Sequence, residues 1–204
     1  MEFLLNTNIQ FYILAYMVGG IPFGLLLAKI YASVNILEEG SGSIGATNVL
    51  RVLKDKDPAL AKKLSIMTLV LDALKGVFVL LVAQALGLSE SVLWAIAVLA
   101  VVGHCFSPFL KFEGGKGVAT GMGVSFYMLP IETLIGVVVW FILAKTVRIS
   151  SLSSIGGLAA VLASFYVIQP DVVHAPMILI AFFIFYKHIP NFIRIVKGEE
   201  KRVV

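Results

Sequence analysis

Two glycine-rich segments contain residues whose types and spacing suit the binding of an anion, and the first covers residues 38–51, EEGSGSIGATNVLR. Its glycines would let backbone N–H groups approach an oxyanion closely, and a helix that starts behind them would add partial positive charge. Arg51 adds a cation suited to bidentate phosphate contact. The pattern predicts a phosphate cradle formed by Gly40, Ser41, Gly42, Ser43, Gly45, Ala46, Thr47 and Asn48. The alternative is a flexible polar linker with helix-capping Ser and Asn.

The same glycines fit the dinucleotide-binding fingerprint, because Gly40, Gly42 and Gly45 follow the G-x-G-x-x-G spacing. That fingerprint has meaning only between a strand and a helix of a βαβ unit. Here an apolar run typical of a membrane helix precedes the glycines. We therefore reject a dinucleotide-binding domain.

The second glycine-rich segment covers residues 103–120, GHCFSPFLKFEGGKGVAT. Lys116 lies among three glycines and before an apolar run, which predicts a second anion site at a helix start. Gly117 stands where a nucleotide-hydrolysing P-loop has the Ser or Thr that holds magnesium. The alternative is a tight turn whose lysine contacts the inner membrane surface. The candidate binding residues are Lys111, Gly114, Gly115, Lys116 and Gly117.

Two further polar segments are weaker signals. Residues 148–154, RISSLSS, place Ser151 and Ser154 on one face of a predicted helix. Serines at a helix start are usually caps, so capping is favoured here over binding by Ser150, Ser151 and Ser154. Residues 187–200, KHIPNFIRIVKGEE, place His188, Asn191 and Arg194 at intervals of three across Pro190, where a helix is expected to bend. A topology signal and a site are equally supported by this segment.

The composition decides what kind of structure holds these segments. Hydrophobic residues make up 59% of the chain, charged residues 14%, and the mean hydropathy is +0.99. Soluble domains are about 45–50% apolar and about 25% charged, so we expect an all-α integral membrane protein with a single domain over residues 1–204. Cys105 is the only cysteine, which excludes an internal disulfide and a Cys-rich metal site. We assign no metal, no cofactor and no nucleic acid, despite a pI of about 9.2.

Apolar runs predict seven transmembrane helices at residues 9–32, 64–86, 92–105, 118–129, 133–145, 152–168 and 176–187. Pro130 and Glu132 favour two short passes over one long helix between residues 118 and 146. With seven spans, 14 of the 16 Lys and Arg residues fall on one face. Short basic loops stay cytoplasmic, so we expect the N-terminus outside, the C-terminus inside, and all four polar segments at the cytoplasmic face.

Two ionisable residues lie inside the second predicted span. Asp72 and Lys75 are three residues apart, a spacing that allows an ion pair on one face of a helix. Ionisable groups in hydrocarbon need a partner or a water-filled recess. We favour a structural ion pair over a functional role.

Three motifs in series resemble the PlsY family, the bacterial acyl-phosphate:glycerol-3-phosphate acyltransferases. They are residues 40–48, GSGSIGATN; residues 103–120 with the GGKGVAT ending; and His188, Asn191 and Arg194 followed by Gly198-Glu199. The family often has Asn where Ser43 stands. The resemblance covers the whole chain and implies an inner-membrane enzyme that transfers a fatty acyl group from acyl phosphate to the 1-hydroxyl of glycerol 3-phosphate, giving lysophosphatidic acid and phosphate. It implies that neither acyl-carrier protein nor coenzyme A is the acyl donor. The expected partners are the two substrates and membrane lipid, and we infer no obligatory protein partner.

An acyl phosphate is a mixed anhydride with a good leaving group, so we expect direct attack by the glycerol hydroxyl without an acyl-enzyme. The His-x4-Asp motif of the soluble-type acyltransferases is absent, since Phe109, Leu179 and Ile193 stand where it would need Asp. Donors from the loops would stabilise the oxyanion. The candidate catalytic residues are Ser41, Ser43, Asn48, His104, His188 and Asn191. Arg194 and Glu199 are added to the candidate binding residues named above. His104, His188 and a substrate phosphate oxygen all remain candidate bases. The rival classes are a transporter of a phosphorylated solute and a membrane scaffold.

Overall fold

The computed structural model describes residues 5–200, and all regular structure within that range is helical. Nine α-helices occur there, together with a short 3-10 helix at Pro108–Leu110. In chain order they are α1 (Thr7–Gly20), α2 (Phe23–Ala32), α3 (Ala46–Leu53), α4 (Pro58–Ala85), α5 (Glu90–Cys105), α6 (Val118–Met128), α7 (Pro130–Thr146), α8 (Ser150–Ile168) and α9 (Ala175–Val196). The predicted all-helical class is confirmed.

The predicted spans fall mostly on helix, but the first, residues 9–32, is two helices interrupted at Ile21 and Pro22, and the count of seven stays a prediction. Five helical segments are long and apolar enough to cross a bilayer: Thr7–Ala32, Pro58–Ala85, Glu90–Leu110, Ser150–Ile168 and Ala175–Val196. Helix α6 has 11 residues and is about 16 Å long at about 1.5 Å per residue, about half the usual hydrocarbon thickness. Length and composition thus support a multi-pass membrane protein with five clear candidate spans.

The predicted break near Pro130 is present. Helix α6 ends at Met128 and α7 starts at Pro130, with Leu129 between them at φ −139° and ψ 67°. Proline suits the first position of a helix because its missing N–H would have no partner there. The apolar stretch is therefore two helices, as the proline indicated.

The chain divides into two compact units, residues up to Val124 and residues from Ser125 onward. The single-domain assignment stays a prediction.

In the first unit, α1 and α5 approach closely because glycines face carbonyl groups. A Cβ on Gly19 would lie 2.2 Å from the carbonyl oxygen of Ala100, and one on Gly103 would lie 2.1 Å from that of Tyr16. Only glycine fits at these contacts.

The second unit contains the paired helices α7 and α8 together with α9. Gly136 on α7 faces α8 so closely that a Cβ would lie 2.8 Å from the carbonyl oxygen of Gly157. Phe165, Met177 and Ile180 are fully or almost fully buried in this unit. This packing holds the start of α8 and the end of α9, which carry the third and fourth polar segments.

Candidate active site

Asn48 organises the first glycine loop, which we define as residues 40–45. The two N–H bonds of its Nδ2 group are shared among three carbonyl oxygens, those of Ile36 at 2.9 Å, Ser43 at 2.9 Å and Glu39 at 3.2 Å. Its Oδ1 accepts from the backbone N–H of Ser41 at 2.8 Å. The side chain is only 2% exposed. The sequence suggested a donor to a ligand, whereas the structure uses the whole amide to hold the loop.

Gly40 shows why this loop needs glycine. It adopts φ +68°, and a Cβ there would lie 2.3 Å from Asn48 Oδ1. A left-handed backbone costs other residues strain, so both backbone and space require glycine. Helix α3 then starts at Ala46 with Gly45 as its N-cap. The helix start expected behind the glycines is confirmed.

Several polar groups of the first loop face outward. Ser41 and Thr47 are exposed, and Ser43 is half-buried with its Oγ accepting from the Gly45 N–H at 3.4 Å. Arg51 is half-buried, and its guanidinium forms none of the ion pairs found within residues 5–200. Hydroxyls and a guanidinium are groups that suit an anion.

The second glycine loop, residues 114–117, folds back onto His104. The Gly115 N–H donates to the His104 carbonyl oxygen at 3.0 Å. A Cβ on Gly115 would lie 2.0 Å from His104 Nε2, so the loop backbone lies directly against the imidazole. Gly117 has φ +79° and precedes α6, which begins at Val118 as predicted. Lys111 is exposed and Lys116 half-buried.

Below this loop lies a buried triad, defined as Asp72, Lys75 and His104. Lys75 Nζ is 2.8 Å from Asp72 Oδ1, 2.9 Å from the Ile21 carbonyl oxygen and 3.0 Å from His104 Nδ1. The three side chains are between 1% and 5% exposed. The predicted Asp72–Lys75 ion pair is confirmed. Its link to His104 was missed because the residues lie on different helices; the only sequence signal was that ionisable groups in apolar spans need partners.

In the second unit, donors from α8 and α9 converge on one carboxylate. Ser151 Oγ and Asn191 Nδ2 donate to Glu200 Oε1 at 3.1 and 2.6 Å, and Arg194 Nε donates to Glu200 Oε2 at 2.7 Å. We call Ser151, Asn191, Arg194 and Glu200 the tail cluster. Burial opposes ionisation of Glu200, but hydrogen bonds from Asn191, Arg194 and Ser151 and the Arg194 charge outweigh it, so its pKa is below its usual value. Sequence reasoning chose Glu199, which is exposed.

The serines at the start of α8 do not cap it. Ile149 occupies the N-cap position without a side-chain capping bond. Ser153 Oγ instead donates to the Ile149 carbonyl oxygen at 2.9 Å, and Ser151 belongs to the tail cluster. Ser150 is half-buried and Ser154 is 8% exposed. The capping interpretation favoured from the sequence is wrong, and Ser151 donates to the Glu200 carboxylate instead.

His188 and Asn191 are both buried, and α9 continues through Pro190 to Val196. His188 Nδ1 lies 2.7 Å from the Ile184 carbonyl oxygen. A carbonyl only accepts, so this nitrogen carries a proton, and Nε2 of the neutral ring is an acceptor. Asn191 Oδ1 is buried and has no hydrogen-bond partner among the described residues. Each side chain therefore presents an acceptor of protons or hydrogen bonds.

The polar groups of the two glycine loops suit the binding of an anion. Among residues 5–200, no group of three or more His, Cys, Asp or Glu side chains is arranged to hold a metal ion. The polar loops provide backbone N–H groups, hydroxyls and cations instead. Such donors suit phosphate oxygens and a developing oxyanion.

Comparison with known proteins gives concordant matches over the whole chain. The glycerol-3-phosphate acyltransferase family model matches residues 9–198. Proteins named glycerol-3-phosphate acyltransferase from Sulfurimonas denitrificans and Wolinella succinogenes are 64% and 59% identical, with all of this chain and all of each relative covered.

Two crystal structures of PlsY (YgiH), an integral membrane glycerol 3-phosphate acyltransferase, are also similar. The glycerol 3-phosphate form has a TM-score of 0.87 at 35% identity and covers 98% of this chain and 96% of its own. The lysophosphatidic acid form has a TM-score of 0.81 at 35% identity, with 97% and 95% covered. Both the sequence and the fold thus match over nearly their full length, and the chain belongs to the glycerol-3-phosphate acyltransferase family.

Proposed function

We propose that this protein is an acyltransferase that acylates the 1-hydroxyl of glycerol 3-phosphate to form lysophosphatidic acid, the first acylation of phospholipid synthesis. The observation that carries the proposal is the tail cluster, where three donors from two helices meet one carboxylate. Donors that converge in this way suit a phosphate, whose oxygens accept the same charge-assisted hydrogen bonds. Full-length membership in the family supports the same reaction.

The acyl donor in this proposal is acyl phosphate, held in the bilayer by its chain. Each buried CH₂ contributes about 0.8 kcal/mol to membrane affinity. The glycerol oxygen attacks the acyl carbonyl carbon, the bond from that carbon to the phosphate oxygen breaks, and inorganic phosphate leaves. No acyl-enzyme forms, so neither Cys105 nor a serine is a nucleophile.

Cations and loop donors supply the electrostatic part of this reaction. Arg194 commits only Nε to Glu200, which leaves the two terminal nitrogens of the guanidinium to bind a substrate phosphate. Arg51, Lys111 and Lys116 serve the phosphates near the two glycine loops. We assign these residues to phosphate binding without dividing them between the two substrates.

In this proposal His188 is the general base that accepts the proton of the attacking hydroxyl. Its Nδ1 is committed to the Ile184 carbonyl, so Nε2 accepts the proton of the attacking hydroxyl. The unpartnered Oδ1 of Asn191 suits a hydroxyl better than a phosphate, because a hydroxyl donates and an ionised phosphate oxygen does not. We propose that Asn191 accepts the hydrogen bond of the glycerol 2-hydroxyl.

In this proposal the reaction occurs at the cytoplasmic face of a bacterial inner membrane. The proposal keeps seven spans, an outside N-terminus and a cytoplasmic C-terminus, with α6 and α7 as two short passes. The distribution of Lys and Arg in the sequence supports this orientation.

The decisive experiment incubates purified protein in lipid with glycerol 3-phosphate and palmitoyl phosphate, and measures lysophosphatidic acid and phosphate in equal amounts. Palmitoyl coenzyme A replaces the donor in a parallel reaction and is expected to give no product. Arg194→Met should abolish turnover, whereas Lys197→Met, a change at an exposed neighbour, should not. Absence of product with palmitoyl phosphate, or uptake of glycerol 3-phosphate into vesicles instead, would overturn the proposal.

A second comparison tests the base. His188→Ala and His188→Gln should both lower kcat by about 10²-fold or more, since positioned general bases contribute roughly 10²–10⁴-fold. Near-normal turnover of His188→Ala would assign proton acceptance to a substrate phosphate oxygen.

A further inference from the structure

The buried triad in the first unit determines which nitrogen of His104 carries a proton. Lys75 Nζ has three neighbours at hydrogen-bonding distance: Asp72 Oδ1 at 2.8 Å, the Ile21 carbonyl oxygen at 2.9 Å and His104 Nδ1 at 3.0 Å. An ammonium group has three N–H bonds and no lone pair. All three of its protons are therefore used, and it can only donate to His104.

The charge on Lys75 is required by its surroundings. Asp72 is 1% exposed, and a buried carboxylate needs a countercharge in contact. His104 Nδ1 is 3.7 Å from Asp72 Oδ1, too far for a hydrogen bond. The ammonium at 2.8 Å supplies the contact. A charged Lys75 makes His104 Nδ1 an acceptor, and the proton of the neutral imidazole then lies on Nε2.

The protonated nitrogen lies against the second glycine loop. Gly115 has no side chain, and a Cβ there would stand 2.0 Å from His104 Nε2. The same loop is fixed to the His104 backbone by the Gly115 N–H, which donates to the His104 carbonyl oxygen at 3.0 Å. The imidazole edge therefore lies directly against the backbone of the second glycine loop, next to Lys116 in the sequence.

We propose that Lys75 is a positioning residue that holds His104 as an Nε2–H hydrogen-bond donor to the anion bound by the second glycine loop. His104 is then a catalytic residue that stabilises negative charge, and it does not accept the substrate proton. It has the opposite tautomer from His188, whose Nδ1 faces a carbonyl. The donor role rests on the acyltransfer proposed above, whereas the tautomer of His104 is independent of it.

Nitrogen NMR of the intact protein tests the tautomer directly. The chain has three histidines, so protein with ¹⁵N-labelled histidine and a histidine-free tag gives three ring systems, and His104→Gln identifies one of them. We expect a protonated Nε2 and an unprotonated Nδ1 for His104 between about pH 5 and pH 8, where an unperturbed histidine changes charge. A proton on Nδ1, or a doubly protonated ring, would overturn the proposal.

Variants of the triad test the role of Lys75. Lys75→Met leaves the Asp72 charge buried without its partner, so the double variant Asp72→Asn/Lys75→Met is the safer measurement because it removes both charges. In the folded double variant, His104 should lose its single tautomer and show a mixture. Retention of the pure Nε2–H form would show that Lys75 does not set it.

Activity separates a donor from a base. His104→Gln retains an amide N–H near the position of Nε2 and should stay within about tenfold of the unchanged enzyme, whereas His104→Ala should lose about 10²–10³-fold in kcat, the typical cost of one oxyanion donor. His174→Gln is the matched control and should be unaffected. Equal losses for His104→Gln and His104→Ala would overturn the donor role, and the NMR result would still hold if the protein had no acyltransferase activity.

Discussion

Asn191 combines two opposite hydrogen-bonding roles in one buried side chain. Its Nδ2 is committed to Glu200, which fixes the amide orientation because a carboxylate only accepts, and its Oδ1 has no partner among residues 5–200. A buried acceptor without a partner costs free energy. A substrate hydroxyl would remove that cost, so this atom contributes to specificity if the glycerol 2-hydroxyl binds there.

A substrate analogue measures this contribution. The enzyme should prefer glycerol 3-phosphate over 1,3-propanediol monophosphate, which lacks the 2-hydroxyl, by about 10- to 100-fold in kcat/KM, given about 1–3 kcal/mol for an unsatisfied buried group. Asn191→Ala should reduce this ratio toward one. An unchanged ratio in the variant would assign recognition of the hydroxyl to another residue.

Glu200 introduces a pH dependence with a definite sign. Burial disfavours its charge, but hydrogen bonds from Asn191, Arg194 and Ser151 and the Arg194 charge lower its pKa below the usual value of 4.5. A lowered pKa means that the folded state favours the carboxylate. Its stabilising contribution is therefore complete above the unfolded pKa and is lost as the pH falls through the folded pKa.

Thermal unfolding of Glu200→Gln against the unchanged protein tests this sign. Between about pH 5 and 8 the variant should unfold at a lower temperature by a constant amount, equivalent to about 1 kcal/mol for a partly exposed pair. The gap should close as the pH falls further. A gap that widened on acidification would contradict the lowered pKa of this carboxyl.

A substitution at Gly45 can show whether glycine is needed there for ligand binding rather than for folding. It has φ −80°, and a Cβ there would meet only Ser43 Oγ, at 3.8 Å. Gly45→Ala should therefore cost at most about 1 kcal/mol of folding free energy, because alanine is a poorer N-cap than glycine. If an anion approaches the N-terminus of α3, the added methyl group should raise the KM for one of the two substrates severalfold. Unchanged KM values for both would exclude close approach at this residue.

At the scale of elements, the first glycine loop depends on one amide rather than on its own flexibility. The two N–H bonds of the Asn48 Nδ2 group are shared among three carbonyl oxygens of residues 36–43. Asn48→Asp keeps the shape but removes every donor and places a negative charge among carbonyls. We expect a loss of about 2–4 kcal/mol and faster hydrogen exchange of the Ser41 N–H. Asn48→Asp with unchanged exchange would contradict the organising role.

Helices were the part of this structure that local sequence determines. The apolar runs, Pro130 and the glycines before Ala46 each give a local signal, and helices begin or end at those positions. The serines of α8 were misread because capping is a local rule, whereas Ser151 bonds to Glu200, 49 residues away. Glu200 and Glu199 are indistinguishable in sequence; only the turn that follows α9 decides which one faces Arg194.

At the scale of the whole molecule, composition predicts that the protein lies in a membrane. The contacts among its buried ionisable residues depend on tertiary packing. An excess of apolar residues and few charges requires a membrane. The Asp72–Lys75 pair follows from helical spacing. Its contact with His104 joins α4 to α5 and depends on the packing of those two helices, which no spacing rule predicts. The tautomer of His104 therefore became apparent only from the structure.

The orientation in the membrane is a whole-molecule property that charge distribution predicts and labelling can measure. Cys105 is buried and is the only cysteine, so a Cys105→Ala protein offers a clean background for single cysteines. Seven spans with an outside N-terminus place Ser89 and Asp171 outside and Asp55 and Lys197 inside; all four are exposed. In intact cells, a membrane-impermeant maleimide should label Ser89→Cys and Asp171→Cys, but should label Asp55→Cys and Lys197→Cys only after lysis. Labelling of both Asp171→Cys and Lys197→Cys in intact cells would mean that α9 does not cross, and the proposed cytoplasmic location of the tail cluster would be wrong.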